Sequence, residues 1–496
     1  MKNLALLFFT IILFNFCSSK SIYNDLEPKY KNDTLKFTLN TKVNLSGKYF
    51  KSILNKKYNL PVKYIFKKGD YYINETLVIE NDNVSFVFKK GARLINRSNQ
   101  NGLILIKGND FSLENIELIG NNISSKDMYG GFGVMLYGVN NAKIKNCKFK
   151  NISGICIFLS RNNKGEGCEK ALIENNNISL SAMNFSDYGD ESGILLGYSG
   201  DNYFHKDNVI RNNIIDGNDR LKIGIGIIGH GDNNFIENNK ISNCLAYGIV
   251  AYESDYTDKS LFRTRIIGNT IENIGEVGNK RTKKGMGIYL MKSQNSFVLN
   301  NKIYNVLRNS DQSETLGAGS ISLNGAINTI VQGNEIDKSF MYGIVNAYAF
   351  NSSIEHNIIR NVRKSAIYLI NVNDIEISDN TIDSNNDVMI KGFFENTSTE
   401  YIKKMWKIEK YSNINTGNNI KIFNNTFIKP KELLYFYTNM NRGIEYKENL
   451  ISNNYIYNNI IYIDKSENEN INSLIKFTSG KNNKIENNKF LKYISK

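Results

Sequence analysis

Between Asp187 and Lys292 the chain sets charged and hydrogen-bonding side chains at the ends of four short apolar runs. Asp187, Asp190 and Glu191 precede "GILLGY", His230 and Asp232 follow "GIGII", and Glu253 and Asp255 follow "GIVAY". Arg281, Lys283 and Lys284 precede "GIYLM", and Lys292 follows it. Two reactions on sugars could use such a set. In β-elimination from a uronic acid, a base removes the proton beside the carboxylate while a cation neutralises that carboxylate, making the carbon more acidic. Tyr252 or His230 would be the base and Lys292 or Arg281 the cation. In hydrolysis, two carboxylates flank the glycosidic bond, one protonated and one ionised; Asp190 and Glu253 are the candidates. Asp187, Asp190 and Glu191 could also hold Ca²⁺ through oxygen. The plainer account of each residue is a solvated charge at a turn.

These runs belong to a repeat that must position them. "FIENNKISNCLAYGIV" (235–250) shares its core with "VLNNKIYNV" (298–306) and "KIENNKFLK" (484–492). Aligned on its last apolar residue, the motif falls at Phe149, Ile178, Ile215, Ile241, Ile271, Ile303, Ile336, Ile359, Ile382, Phe427, Ile456 and Phe490. The steps from Ile336 to Ile359 and from Ile359 to Ile382 are 23 residues each. A fixed minimum period with longer excursions is the signature of a solenoid whose insertions leave from loops. Alternating apolar residues give strand periodicity, and no ten-residue amphipathic helix recurs, which excludes helical repeats. The fold expected is all-β, a right-handed parallel β-helix with three strands per coil. An asparagine two places before each anchor, from Asn176 to Asn488 and replaced only by Cys147, should stack into a ladder down the coil.

The third strand of each unit is the "G-I-x-L" run, continued as "SISLN" (320–324), "GIVNA" (343–347) and "AIYLI" (366–370). Alternation from inward Ile249 and Ala251 puts Val250 and Tyr252 on the outer face, with Tyr289 and Met291, Ser322 and Asn324, and Tyr368 and Ile370. A face carrying Tyr289, Asn324 and Tyr368, edged by Arg281 and Asp190, suits sugar, because a tyrosine ring stacks on a pyranose while its hydroxyl bonds a substituent. Tyrosine is also simply common in strands.

The stretch "KKGDYYINETLVIENDNVSFVFKKGARL" (67–94) resembles the opening coils of the pectate-lyase-like superfamily, where G-x-Y-x-I, N-V-x-I and G-A-x-L recur. The resemblance covers nearly all of the mature chain and speaks to fold more than chemistry. It implies that substrate lies along the sheet of the G-I-x-L strands. Tyr247, Gly248 and Ile249, with the later "KGMGIYLMKSQNSFVLNN", are similar in layout to bacterial alginate C5-epimerases. The corresponding strand there continues Asp-Pro-His and then an acid; here Val250, Ala251, Tyr252 and Glu253 keep only the acid, which argues against epimerisation. "GHG" (229–231) is similar to a polygalacturonase element, but the N-T-D, D-D and R-I-K motifs are absent.

The remaining totals frame this reading. With 496 residues and only three prolines, turns must be made by Gly and Asn. The net charge of +14 suits acidic partners or merely reflects lysines on turns. No basic run interleaved with aromatics points to nucleic acid. Lys2 followed by "LALLFFTIILFNF" reads as an export signal over 1–19, and Cys17 in "FCSSK" resembles the lipid-acceptor cysteine of bacterial lipoproteins. The protein is therefore expected outside the cytoplasm, secreted or held at the envelope by that lipid alone, as a monomer acting on an acidic polysaccharide as a lyase or related enzyme, with a non-catalytic glycan-binding or adhesin-like surface protein as the alternative. Cys147, Cys156, Cys168 and Cys244 fit no metal spacing and read as buried thiols. Residues 20–61 form an N-terminal segment with a capping helix, in which Tyr49, Phe50, Ile53 and Leu54 share a face after Ser46. The β-helix is expected over 62–494, with an insertion about 393–418 that carries the only tryptophan, Trp406. His356 is expected to be structural, and His205 to lie in a loop.

Overall fold

The computed structural model describes residues 29–31, 34–97, 102–121, 131–179, 191–197, 204–252, 261–275, 285–307, 318–384, 388–394, 417–438, 451–463, 474–478 and 480–493. Three sheets of 17, 15 and 14 strands run the length of the molecule, so nearly every coil contributes one strand to each. Neighbouring strands are parallel, apart from Lys29–Lys31 against Thr34–Leu39. This is the right-handed β-helix anticipated above. Coils between Phe204 and Gln294 carry a fourth short strand, which the repeat did not announce.

The second sheet holds the anchors in one continuous register, Ile271 against Ile303, Ile303 against Ile336, and Ile336 against Ile359. One anchor is corrected. Ile456 lies in the first sheet, between Ile422 and Ile485, and the anchor of its coil is Ile461, between Phe427 and Phe490. The stretch "SNNYIYNNIIY" writes asparagine and a strand at two successive corners, and the motif caught the wrong one.

The ladder divides its work between two adjacent residues. Asn175, Asn212, Asn238 and Asn300, and glycines at Gly268 and Gly333, take the left-handed backbone. The following residue bonds along the stack: Asn269 Nδ2 donates to Asn301 Oδ1 (3.0 Å), and Asn301 Nδ2 to Asn334 Oδ1 (2.9 Å). Each Oδ1 also accepts a backbone N–H, as from Asn301 to Asn334 (2.9 Å), and each Nδ2 also donates to a carbonyl, as from Asn301 to Ile266 (2.9 Å). These fully buried amides are thereby satisfied. The ladder runs Asn425, Asn459, Asn488 at its end; Asn454 belongs to the neighbouring corner, where it accepts from Ile420 N (2.8 Å). His356 takes a left-handed corner (φ 53) with its side chain exposed.

The glycine before each third-strand isoleucine is steric. A Cβ on Gly248 would lie 2.6 Å from the Gly287 carbonyl oxygen, and one on Gly343 2.5 Å from that of Ala366. Ser320 and Ala366 take the same place with small side chains, and Met389 fills it on the coil after Ala366.

At the front, the helix Lys48–Leu54 buries Phe50 and Leu54 and half-buries Tyr49 and Ile53 against the core. Phe50 meets Tyr64 edge-on (5.9 Å), and Tyr64 stacks on Phe37 (5.2 Å). The N-cap is Gly47 and makes no side-chain bond, so Ser46 is not the cap; its Oγ instead accepts the Asn74 N–H (2.9 Å). The four cysteines are free and buried, and burial pushes the Cys147 and Cys168 thiols up to about 12. Among the described residues no helix is long and apolar enough to cross a membrane.

Candidate functional site

The third-sheet strands Tyr247–Tyr252, Met286–Met291, Gly319–Asn324, Tyr342–Ala347 and Ser365–Ile370 lie side by side in that order. Their inner column is Ile249, Ile288, Ile321, Ile344 and Ile367, all fully buried. One outer column runs Val250, Tyr289, Ser322, Val345 and Tyr368, and a second runs Met291, Asn324, Ala347 and Ile370. The alternation holds, but much of this face is covered. Tyr342, Val345, Ala347, Tyr368 and Ile370 form an apolar cluster apart from the main core. Tyr368 is 2% exposed and stacks on Tyr342 (4.6 Å); burial raises its pKa. A strand-period reading cannot tell an outward residue from an exposed one.

Tyr252 and Tyr289 are half-buried on this face. Tyr289 stacks on Tyr247 (5.9 Å) and accepts a hydrogen bond from Asn324 Nδ2 (3.4 Å), and burial raises its hydroxyl pKa. Asn324 Oδ1 and the neighbouring Ser293 Oγ are buried without a protein partner, a cost of about 1–3 kcal/mol each. Both sit beside Lys292, whose N–H donates to the Asn324 carbonyl (2.8 Å).

Lys292 occupies the corner after the third sheet, where Gly229, Gly325, Tyr348 and Asn371 are also left-handed. At φ 54 a lysine costs about 1–2 kcal/mol that the glycines avoid, and its side chain is 1% exposed. The pairing of Ala251 with Leu290 sets Tyr252 opposite Met291, so Lys292 is one residue beyond the neighbour of Tyr252. On the four-stranded sheet Asp232 pairs with Phe262, and Phe262 with Gln294. On the third sheet Ile228 pairs with Tyr252, so Gly229 shares the corner of Lys292 and His230 is one residue beyond it, two coils and about 10 Å along the axis away. His230 is also 1% exposed. The structure thus gathers Tyr252, His230, Lys292, Tyr289 and Asn324 at one edge of the third sheet, and leaves Tyr368 three strands beyond Tyr289.

Glu253, Arg281, Asp187, Asp190, Cys17 and Trp406 lie outside the described residues. Asp232 is held by Arg263, whose Nε donates at 2.8 Å. Among the described residues, no group of three or more His, Cys, Asp or Glu side chains could hold a metal. His205 is a correction: it lies on a strand, fully buried, and its Nδ1 accepts the Cys168 N–H (3.1 Å). Burial pushes it down to about 4.

Sequence reasoning missed the next coils of this face. Lys391 follows Tyr368 in the outer column, then Tyr435 and Lys476; Phe393 and Tyr437 continue the second. Lys391 Nζ lies 5.2 Å from the Tyr437 ring centroid and 5.9 Å from that of Tyr368. The "G-I" entry is absent from these strands, so the motif stopped short of them.

Comparison with known proteins agrees with this architecture. A family model described as a right-handed beta helix region matches residues 224–403. The surface adhesin PfbA of Streptococcus pneumoniae shares the fold at 16% identity and a TM-score of 0.50, over 66% of this chain and 83% of that one. The periplasmic alginate epimerase AlgG matches at 12% identity and TM-score 0.43, over 92% and 85%. The alginate lyase AlyF-OU02, in complex with G6, matches at 15% and 0.46, over 69% and 84%. No curated protein matches the sequence. The chain is a right-handed parallel β-helix.

Proposed function

We propose that this protein is exported and engages polysaccharide along the outer face of the third sheet, cleaving an acidic glycan by β-elimination at the Tyr252–Lys292 edge. The observation that carries the reading is Lys292, a buried lysine held at a left-handed corner that the next coil makes with Gly325, beside half-buried Tyr252. A buried ammonium acts in a low dielectric and stabilises negative charge strongly. It would draw charge into the uronate carboxylate as the adjacent C–H bond breaks. The proton passes to Tyr252, which must act as the phenolate and becomes the phenol, the C=C bond forms, and the glycosidic oxygen leaves and is protonated from solvent. Tyr252 is preferred to His230 as base because a base must touch the proton it takes and only Tyr252 reaches the surface, whereas Lys292, as buried as His230, would act on the carboxylate through its field. Glu253 and Arg281 are further candidates, and hydrolysis by Asp190 and Glu253 remains the minor alternative. Cleavage just before Cys17 would leave it as the lipid-bearing N-terminus, which mass spectrometry of the exported chain would reveal; an N-terminus beyond Cys17 removes the anchor.

A non-catalytic glycan binder is the second reading, favoured by the burial of both His230 and Lys292. Incubation with polyuronates separates the two. A lyase produces the ultraviolet absorbance of an unsaturated uronate, and Tyr252→Phe loses turnover while keeping binding and folding. Binding without that product selects the second reading, and turnover retained by Tyr252→Phe removes Tyr252 from the mechanism.

A further inference from the structure

Resting on the reading that this face meets polysaccharide, we propose that Lys391, Tyr435, Tyr437 and Phe393 form a separate subsite for an anionic sugar unit, carboxylated or sulfated. Lys391 supplies the charge. Two other lysines of these coils are neutralised: Lys476 pairs with Glu432 (3.0 Å) and Lys421 with Glu376 (2.7 Å). Among the described residues no carboxylate pairs with Lys391, whose ammonium faces only the rings of Tyr437 and Tyr368. Rings hold an ammonium and shed part of its water, yet leave its charge uncompensated, which suits it to an incoming anion.

The rings supply the sugar's other requirement. Tyr435 and Tyr437 stack at 5.1 Å and 11°, and Phe393 lies 5.1 Å from Tyr437, giving a continuous half-buried aromatic surface on two adjacent coils. The Tyr437 hydroxyl is 3.5 Å from that of Tyr368, which fixes its edge. A pyranose laid on this surface would place a ring substituent over Lys391. A neutral sugar would use the rings and leave the ammonium unanswered. From the strand of Tyr252 to that of Lys391 is five coil steps, about 24 Å at the strand spacing. The subsite therefore grips the chain well away from the proposed chemistry and favours polymers over short fragments.

Calorimetric titration of the full chain tests this with a polyuronate, a sulfated polysaccharide and an uncharged polysaccharide of similar length, each at low and high salt. Tighter binding of an anionic polymer than of the neutral one is expected. Lys391→Gln should weaken the anionic polymer about tenfold, flatten its salt dependence and leave neutral binding unchanged. Lys391→Arg should retain affinity, separating charge from folding, and Tyr437→Ala should weaken every polymer. Which anionic polymer loses most distinguishes a uronate from a sulfate site. Parent-like binding by Lys391→Gln, or equal losses for charged and neutral polymers, overturns the subsite while leaving the wider reading intact. Failure of the parent chain to bind any polysaccharide overturns both.

Discussion

At the scale of single residues, cost marks the interesting positions. A lysine at φ 54, buried, with Ser293 Oγ and Asn324 Oδ1 orphaned beside it, is an expensive way to turn a corner that Gly325 turns on the next coil. Lys292→Gly should relieve the backbone strain, stay folded and lose turnover of polyuronate; thermal melting with an activity assay checks both, and retained turnover ends the role of Lys292. His205 supplies a pH prediction of a different kind. Its Nδ1 must be unprotonated to accept the Cys168 N–H, and burial lowers its pKa from the ordinary 6.5 to about 4. A depressed histidine contributes stability that is complete above its unfolded value and is lost as pH falls towards its folded value. Between about pH 6.5 and 4 the fold should lose on the order of 3 kcal/mol to this group. Denaturant titrations across that window should show the slope in the parent and a smaller one in His205→Gln; equal slopes would remove His205 as its source.

At the scale of elements, the asparagine ladder is the device that makes one coil template the next. Replacing Asn301 by Ala strips an acceptor from the N–H and amide of Asn269, and a donor from Asn334. The expected loss is about 3 kcal/mol, read from the denaturation midpoint, whereas Asn361→Ala, at an exposed bond to Asp337 and a left-handed corner, should cost only about 1 kcal/mol, mostly from the backbone. Similar losses at both sites would deny the ladder its role. Register was legible in the sequence wherever the two corners of a coil differ, as at Ile336, Ile359 and Ile382. It failed at Ile456, because Asn454 and Asn459 both precede strands and only three-dimensional pairing tells their corners apart. The outer columns were legible as alternation, yet the burial of Val250 and Tyr368 was not, since a period of two reports direction and not what packs on top. Lys391 and Tyr437 escaped notice because Met389 and Leu433 stand where the motif has its entry glycine, and Gly392 and Phe436 where it has leucine.

At the scale of the whole molecule, stacking turns residues two dozen or more positions apart into neighbours on one wall. That wall is uneven: tyrosine, asparagine and lysine mark the third sheet, whereas the outward rows of the other sheets carry ion pairs such as Lys150–Glu117 and Arg211–Glu174. Location is thus the central claim, and hydroxyl-radical footprinting with bound polyuronate tests it most directly. Tyr252, Tyr289, Tyr435 and Tyr437 should be protected from oxidation, while Tyr304 on the second sheet and Tyr457 on the first should oxidise as in the free protein. Protection of Tyr304 or Tyr457, with the third-sheet tyrosines unaffected, would contradict the account.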